Sequence, residues 1–144
     1  MILSTRDFGN VEIFEENIIN FPEGVFSFEN NTEFTILSPL GEDKYPMWLQ
    51  STQNGNLCFI VYDPFEIAAD FEPDEEQLER ELDIGEDTNV LFLSIAVIPE
   101  DHRKTTVNLK SPIVINLDTK TGKQIVFEAD YPVRFPIFAE TGDE

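Results

Sequence analysis

Cysteine and histidine, two residue types that carry much of enzyme chemistry, are nearly absent from the sequence. Its 144 residues include one cysteine, Cys58, and one histidine, His102. A single cysteine excludes an internal disulfide bond, and one cysteine with one histidine cannot supply the ligands of a zinc site. Cys58 lies within an apolar run, which predicts a buried thiol, and His102 lies in a polar, charged loop, which predicts a solvated side chain.

Recognisable motifs for catalysis or for cofactor binding are also lacking. Leu117 stands where a phosphate-binding loop ending at Gly122-Lys123 would need its first glycine, so that motif fails. No aspartate-rich loop has calcium-ligand spacing, and among the many carboxylate pairs nothing singles out a glycosidase-like dyad. The sequence therefore predicts a protein that is not an enzyme and that uses no cofactor and no metal.

No hydrophobic run is long enough to cross a bilayer, and the segment beginning at Met1 lacks the three regions of a signal peptide. Together with the single cysteine, this predicts a cytoplasmic protein without a membrane partner.

Basic residues are scarce: nine stand against twenty-nine acidic residues, which gives a formal net charge of −20. Between Asp7 and Asp101, twenty-three acidic residues face only Lys44 and Arg80. Such a chain would repel nucleic acid directly and would attract a basic protein. High net charge also keeps proteins soluble, so charge by itself favours a protein partner only weakly.

What the sequence does contain is a set of short apolar runs. Residues 90–98 are apolar at nearly every position and are closed by Pro99, which predicts a strand covered on both faces. A buried helix is the rival interpretation, but the run is short and lacks helix start and stop signals. We expect residues 90–117 to supply the central strands of the fold.

Turn signals predict several hairpins around these strands. Gly9-Asn10 and Asn54-Gly55 are typical of two-residue hairpin turns, and a polar loop at residues 118–123 separates runs at 113–117 and 124–128. The two prolines within residues 131–138 predict an edge segment or an extended tail.

One helix is predicted, near residues 75–83. Asp74 suits its N-cap, Gln77 would complete a capping box, Leu78 and Leu82 form a narrow apolar stripe, and Gly85 would end it. The whole pattern predicts an all-β fold, a small and mainly antiparallel barrel or sandwich with one short surface helix. We expect one domain over residues 1–138 and a mobile tail at 139–144.

The sharpest feature for function is the stretch at residues 66–87, which contains eleven acidic residues and Arg80 alone as a base. Like charges at helical spacing cost stability, and a partner with lysine and arginine would relieve the repulsion. Apolar residues at 67–71 beside the acids favour a binding surface, whereas a solvated helix face is the alternative.

Several stretches in order resemble the FliW family of bacterial flagellar assembly factors. They cover nearly the whole chain to about Phe135 and are Phe8-Gly9, Phe21–Glu29, Trp48–Ser51, Phe59–Pro64, Leu93–Ile95, Ile98–Glu100, Asn108–Asn116, Gly122–Gln124 and Tyr131–Arg134. The chain departs from the common family pattern at Phe26-Ser27 and Lys110-Ser111. The resemblance implies a barrel-like β fold.

The resemblance also implies a non-enzyme with two protein partners, flagellin and the translational repressor CsrA. The protein would act as a chaperone-like partner of flagellin and would relieve repression by binding CsrA, so that flagellin level controls flagellin translation. An acidic nucleic-acid mimic, or an adaptor for another basic protein, is the alternative. A monomer is expected. Our hypothesis for the partner-binding surface combines parts of residues 67–76 and the 99–103 loop: Ile67, Phe71, Glu72, Asp74, Glu75, Glu76, Pro99, Glu100 and Arg103.

Overall fold

The computed structural model describes residues 1–138, which form short strands and two α-helices. The helices are α1 (Pro64–Ile67) and α2 (Glu75–Leu82). The strands are β1 (Ile2–Thr5), β2 (Gly9–Glu12), β3 (Ile19–Asn20), β4 (Glu33–Leu37), β5 (Met47–Ser51), β6 (Cys58–Tyr62), β7 (Val90–Val97), β8 (Thr106–Val107), β9 (Ile113–Asn116), β10 (Thr121–Gln124) and β11 (Phe135–Pro136).

Seven of these strands close into a barrel in the order β7-β6-β5-β4-β3-β10-β9, and β9 pairs with β7 to complete the ring. All of the pairings are antiparallel except β3 with β10, which are parallel. The predicted all-β, barrel-like fold is confirmed.

Strand β7 packs against other residues on both faces up to Ala96, as its apolar run predicts, and only its last residue, Val97, is exposed. Leu93 belongs to an interior cluster that fills the barrel, and Leu91 and Ile95 pack against that cluster. Phe92 belongs to an outer cluster on the outside of the barrel, and Val90 and Ala96 pack against it. Because side chains alternate along a strand, a continuous apolar run serves both clusters.

The outer cluster is closed by elements that lie outside the barrel. Ala68 and Phe71 follow α1, Leu78 lies on α2, and Phe127 lies in the chain after β10. Tyr131 and Phe135 pack against this cluster from the C-terminal segment. Strand β8 extends the sheet beyond the barrel from the end of β7, and β11 pairs with β8, which confirms the predicted edge position of residues 131–138 in part of that segment.

Two predicted turns are wrong in detail, although both hairpins exist. The first hairpin turns at residues 6–8, and Gly9 already pairs with Thr5 in the ladder. The second joins β5 to β6 through residues 52–57, and Gly55 does not take a positive φ. Gly55 is needed for a different reason, because a Cβ atom there would clash with the Ser4 carbonyl oxygen. Glycine at this position allows the backbone of the first hairpin to approach closely, and it is not required by a tight turn.

The last hairpin and the helix end also differ from prediction. The hairpin between β9 and β10 turns at residues 117–120, so Gly122 and Lys123 belong to a strand, not to the loop. Helix α2 ends at Leu82, and Asp83, with φ of 59°, takes the left-handed position that Gly85 was expected to fill. The predicted tail at residues 139–144 lies outside the described residues. Among residues 1–138, no helix has the length and apolarity that a membrane span requires.

Candidate functional site

A groove runs along the outside of the barrel, between α2, the residues that precede it and the start of β7. We call it the acidic groove; its volume is about 910 Å³. It is lined by Phe65, Asp70, Glu72, Pro73, Asp74, Glu75, Glu76, Leu78, Glu79, Ile84, Gly85, Glu86, Thr88, Val90, Phe92 and Tyr131. The groove lies over the outer cluster, so its floor is apolar and its rim is charged.

Phe65 forms the exposed part of that floor. It is 45% exposed, and its ring meets Phe71 and Phe92 edge to face at 5.2 Å in each case. The Asp63 carboxylate accepts a 2.9 Å hydrogen bond from the Phe65 amide and so caps α1, which fixes the backbone under this ring. The groove therefore presents a well-supported aromatic surface to solvent.

The rim carries seven carboxylates: Asp70, Glu72, Asp74, Glu75, Glu76, Glu79 and Glu86. In the described part of the chain, none of them forms an ion pair. Arg80 on α2, and Lys123, which contacts α2, are engaged elsewhere: Arg80 pairs with Glu128, and Lys123 pairs with Glu81 and Glu23. The negative charge of the rim is thus not neutralised within residues 1–138.

Several hydrogen bonds fix α2 against the barrel. The Asp74 carboxylate accepts from the Glu76 and Gln77 amides, which confirms the predicted N-cap. The Gln77 amide group donates to the Val126 carbonyl oxygen at 2.7 Å and accepts from the Glu128 amide at 3.3 Å. Gln77 thus ties the helix to the chain after β10, instead of completing the predicted capping box.

A buried asparagine and an ion pair hold the other end of α2. Asn116, on β9, donates to the Leu82 carbonyl oxygen at 3.2 Å. Lys123 Nζ lies 2.6 Å from Glu81 Oε1. This hydrogen bond lowers the pKa of Glu81 and raises the pKa of Lys123. The rim carboxylates on α2 therefore belong to a helix that is held in place at both ends.

The structure separates the two parts of the predicted binding surface. Glu72, Asp74, Glu75 and Glu76 line the acidic groove. Phe71 is buried in the outer cluster and Ile67 packs against it, so both side chains serve packing.

The predicted 99–103 loop lies beyond the opposite end of β7 from the groove. Pro99, Glu100 and Arg103 are exposed there. The groove includes Phe92, and the five residue-to-residue steps from Phe92 to Val97 span about 16 Å. Arg103 bonds to Asp101 at 3.1 Å, which lowers the pKa of Asp101 and raises that of Arg103. The loop forms a separate surface patch next to the exposed Val97 and Ile98.

Sequence reasoning missed Phe65 and Tyr131 as groove residues. The Asp63-Pro64 pair before Phe65 is a helix-start signal that could have placed Phe65 on an exposed turn. Tyr131 has no local signal, because its hydroxyl group contacts Glu72, which lies 59 residues away.

The residues most able to do chemistry lie away from the groove. Cys58 is half-buried, and burial raises the pKa of its thiol to about 11. His102 is exposed, as predicted. Within residues 1–138, no three side chains of His, Cys, Asp or Glu are arranged to hold a metal ion. The groove offers carboxylates and aromatic surface, which are features of a protein-binding site.

Comparison with known proteins gives one consistent result. Residues 2–137 match the family model described as FliW protein. The flagellar assembly factor FliW of Caldicellulosiruptor bescii is 40% identical over 140 residues, which cover 95% of this chain and 90% of the relative. The FliW of Natranaerobius thermophilus is 36% identical, over 99% of this chain and 95% of the relative. A crystal structure of the flagellar assembly factor FliW superposes with a TM-score of 0.84 at 30% identity, and covers 98% of this chain and 99% of that one.

Proposed function

We propose that this chain, which belongs to the FliW family of flagellar assembly factors, binds flagellin as a chaperone-like partner and antagonises the repressor CsrA by direct protein–protein binding. In the proposed switch, free protein binds CsrA and relieves repression of flagellin translation. Accumulating flagellin captures the protein, and the released CsrA then represses translation. The protein would act in the cytoplasm, where flagellin is made.

The observation that carries the proposal is the acidic groove with Phe65 at its floor. Binding hot spots are usually apolar or aromatic groups surrounded by charged or polar residues, and the groove has this arrangement. Its rim holds seven carboxylates without ion pairs among the described residues. Such a surface attracts a basic protein over a distance and then offers it apolar contact.

The groove also supports a function without catalysis. Apart from its carboxylates, its side chains offer only the hydroxyl groups of Thr88 and Tyr131. The Thr88 hydroxyl accepts a hydrogen bond from the Gly85 amide, and the Tyr131 hydroxyl bonds to the Glu72 backbone. Among residues 1–138, neither hydroxyl forms a hydrogen bond with a side-chain base that would activate it as a nucleophile. We propose that the protein is not an enzyme and needs no cofactor.

We propose that partner contacts come from two separate patches. One is the acidic groove, with Glu72, Asp74, Glu75 and Glu76. The other is the 99–103 loop, with Pro99, Glu100 and Arg103, beside the exposed apolar residues Val97 and Ile98. Two patches would allow the two partners to use different surfaces, or one partner to use both.

Calorimetric titration tests the function directly. The protein is titrated with flagellin and with CsrA from the same organism, first singly and then in competition, at low and at high ionic strength. We expect binding to both partners and displacement of CsrA by flagellin. Binding to neither folded partner would overturn the proposal. Binding to CsrA that disappears at high ionic strength, with no binding to flagellin, would favour the acidic nucleic-acid mimic instead.

A further inference from the structure

We infer that the acidic groove receives a cationic protein segment, with lysine or arginine side chains on the rim and one bulky apolar side chain seated on Phe65. The inference deepens the proposed function and rests on it, since it states which chemistry a protein partner must present to this surface. Three observations carry it: the unpaired charge of the rim, the exposed aromatic floor, and the shape of the groove.

The charge of the rim exceeds what the fold requires. Asp74 caps α2, and Glu75 and Glu76 lie in its first turn, where the helix dipole favours negative charge. The other four acids, Asp70, Glu72, Glu79 and Glu86, have no such role. Within the described residues, their side chains make no hydrogen bond and no ion pair. Seven carboxylates around one groove repel one another, and a cationic ligand relieves that repulsion.

The floor supplies the part of binding that salt does not weaken. Phe65 is strongly exposed, whereas the other large apolar side chains of the groove lining at Leu78, Ile84 and Phe92 are buried. Its ring rests on the rings of Phe71 and Phe92, so little side-chain freedom is lost when a partner covers it. An apolar side chain that buries Phe65 would therefore slow dissociation.

The groove fits a cationic protein segment better than other classes of ligand. A volume of about 910 Å³ holds several side chains at once. Phosphate groups of nucleic acids and anionic lipids would be repelled by the rim. The carboxylates are not arranged for a metal ion among the described residues. A flexible polyamine would satisfy the rim but would leave Phe65 exposed.

Two sets of variants separate the rim from the floor. The rim variant carries Asp70→Asn, Glu72→Gln, Glu79→Gln and Glu86→Gln, which leaves the helix cap intact. Its matched control carries Glu12→Gln, Glu15→Gln, Glu16→Gln and Glu42→Gln, which change net charge equally at exposed positions away from the groove. The floor variants are Phe65→Ala and Phe65→Lys, and their control is Phe14→Ala, at a residue of similar exposure.

Association and dissociation rates are measured by stopped flow at low and high ionic strength, with flagellin and with CsrA as probes. Thermal melting confirms that each variant is folded. For at least one partner, we expect the rim variant to lower the association rate about tenfold and to flatten its salt dependence. We expect Phe65→Ala to raise the dissociation rate about tenfold or more, and Phe65→Lys to weaken binding further. Both controls should stay within about twofold of the unmodified protein.

The outcomes distinguish this inference from the proposed function. If the unmodified protein binds both partners and neither the rim nor the floor variant differs from its control, the inference is overturned and the proposed function stands. If it binds neither partner, the proposed function fails, and a helical lysine–leucine peptide tests the groove against a glutamate–leucine peptide. Selective binding of the lysine peptide that is lost in the rim and Phe65 variants supports the inference. Equal or absent binding, or a response to spermine that equals the response to the peptide, overturns it.

Discussion

The hydroxyl group of Tyr131 accepts a hydrogen bond from the Glu72 amide and donates one to the Glu72 carbonyl oxygen, each at 2.8 Å. The Tyr131 ring also lies 5.1 Å from Phe71. Through this one side chain, the C-terminal segment holds the chain that leads into α2. It thereby fixes one wall of the acidic groove.

Replacing Tyr131 with phenylalanine should loosen that wall while keeping the ring. The variant loses both hydrogen bonds to Glu72, and the free energy of unfolding should fall by about 1 kcal/mol. Amide hydrogen exchange should accelerate at residues 70–74, and urea denaturation measures the stability change. Tyr45→Phe is the control, because the Tyr45 hydroxyl makes no hydrogen bond within residues 1–138. Equal stability of the two variants would show that the Tyr131 hydroxyl does not hold the wall.

The Asp74 cap should contribute measurably to stability. Its carboxylate accepts hydrogen bonds from the Glu76 and Gln77 amides. Replacement with alanine should lower the free energy of unfolding by about 1 kcal/mol, because two amides at the start of α2 lose their acceptor. Asp70→Ala removes the same charge nearby without removing a cap, so we expect little change in its urea midpoint. A similar loss in both variants would assign the effect to charge.

Much of the fold could be predicted from local chemistry. The run at residues 90–98 is apolar on both faces, and β7 serves both the interior and the outer cluster. Asp74 marked the start of α2 correctly, whereas the Gln77 side chain bonds to the chain after β10 instead of closing a capping box. The details of the turns were harder to predict. Glycine is required at position 55 because the Ser4 backbone lies against it, and Ser4 is about fifty residues away in the chain. The dipeptide Asn54-Gly55 carries no information about a contact with so distant a residue.

The candidate site was only half predictable for the same reason. The density of acids at 66–87 indicated a charged surface, and four of the predicted residues line the groove. The floor and one wall come from Phe65 and Tyr131, and the Tyr131 contact with Glu72 depends on the way the C-terminal segment crosses the outer cluster. The 99–103 loop lies in a separate patch, because the groove is at the start of β7 and the loop follows the end of β7.

The ion pair between Glu81 and Lys123 should make stability depend on pH in a defined window. The hydrogen bond between the two side chains lowers the pKa of Glu81 and raises the pKa of Lys123. The contribution of Glu81 is therefore present above its unfolded pKa of 4.5 and is lost as pH falls through its lower folded pKa. That of Lys123 is present below its unfolded pKa of 10.5 and is lost as pH rises through its higher folded pKa.

Glu81→Gln should thus destabilise the protein by about 0.5–1 kcal/mol at neutral pH, with a smaller difference in acid. Urea midpoints of both proteins at neutral and acidic pH measure this effect. Glu128→Gln is the comparison, because its pair with Arg80 is longer, at 3.8 Å, and more exposed. It should cost almost nothing at either pH. A Glu81→Gln difference that persists unchanged in acid would mean that the charge of Glu81 is not what stabilises the protein.

Gln50 should tolerate an apolar replacement better than a carboxylate. Its side chain is fully buried on β5, and its amide nitrogen lies 3.0–3.4 Å from the carbonyl oxygens of Ser51, Asn54, Gly55 and Leu57. Glutamate would lose this donor and would face four carbonyl oxygens with negative charge, which should cost about 3 kcal/mol or more at neutral pH.

Because the buried charge is disfavoured, the folded pKa of that glutamate would be raised. Its penalty should therefore shrink as pH falls toward the pKa of a glutamate in the unfolded chain. Gln50→Met lacks the charge and should show a smaller cost that is independent of pH. Urea midpoints of both variants are measured at mildly acidic and mildly alkaline pH. If the stability of the two variants changed equally with pH, the electrostatic explanation would be ruled out.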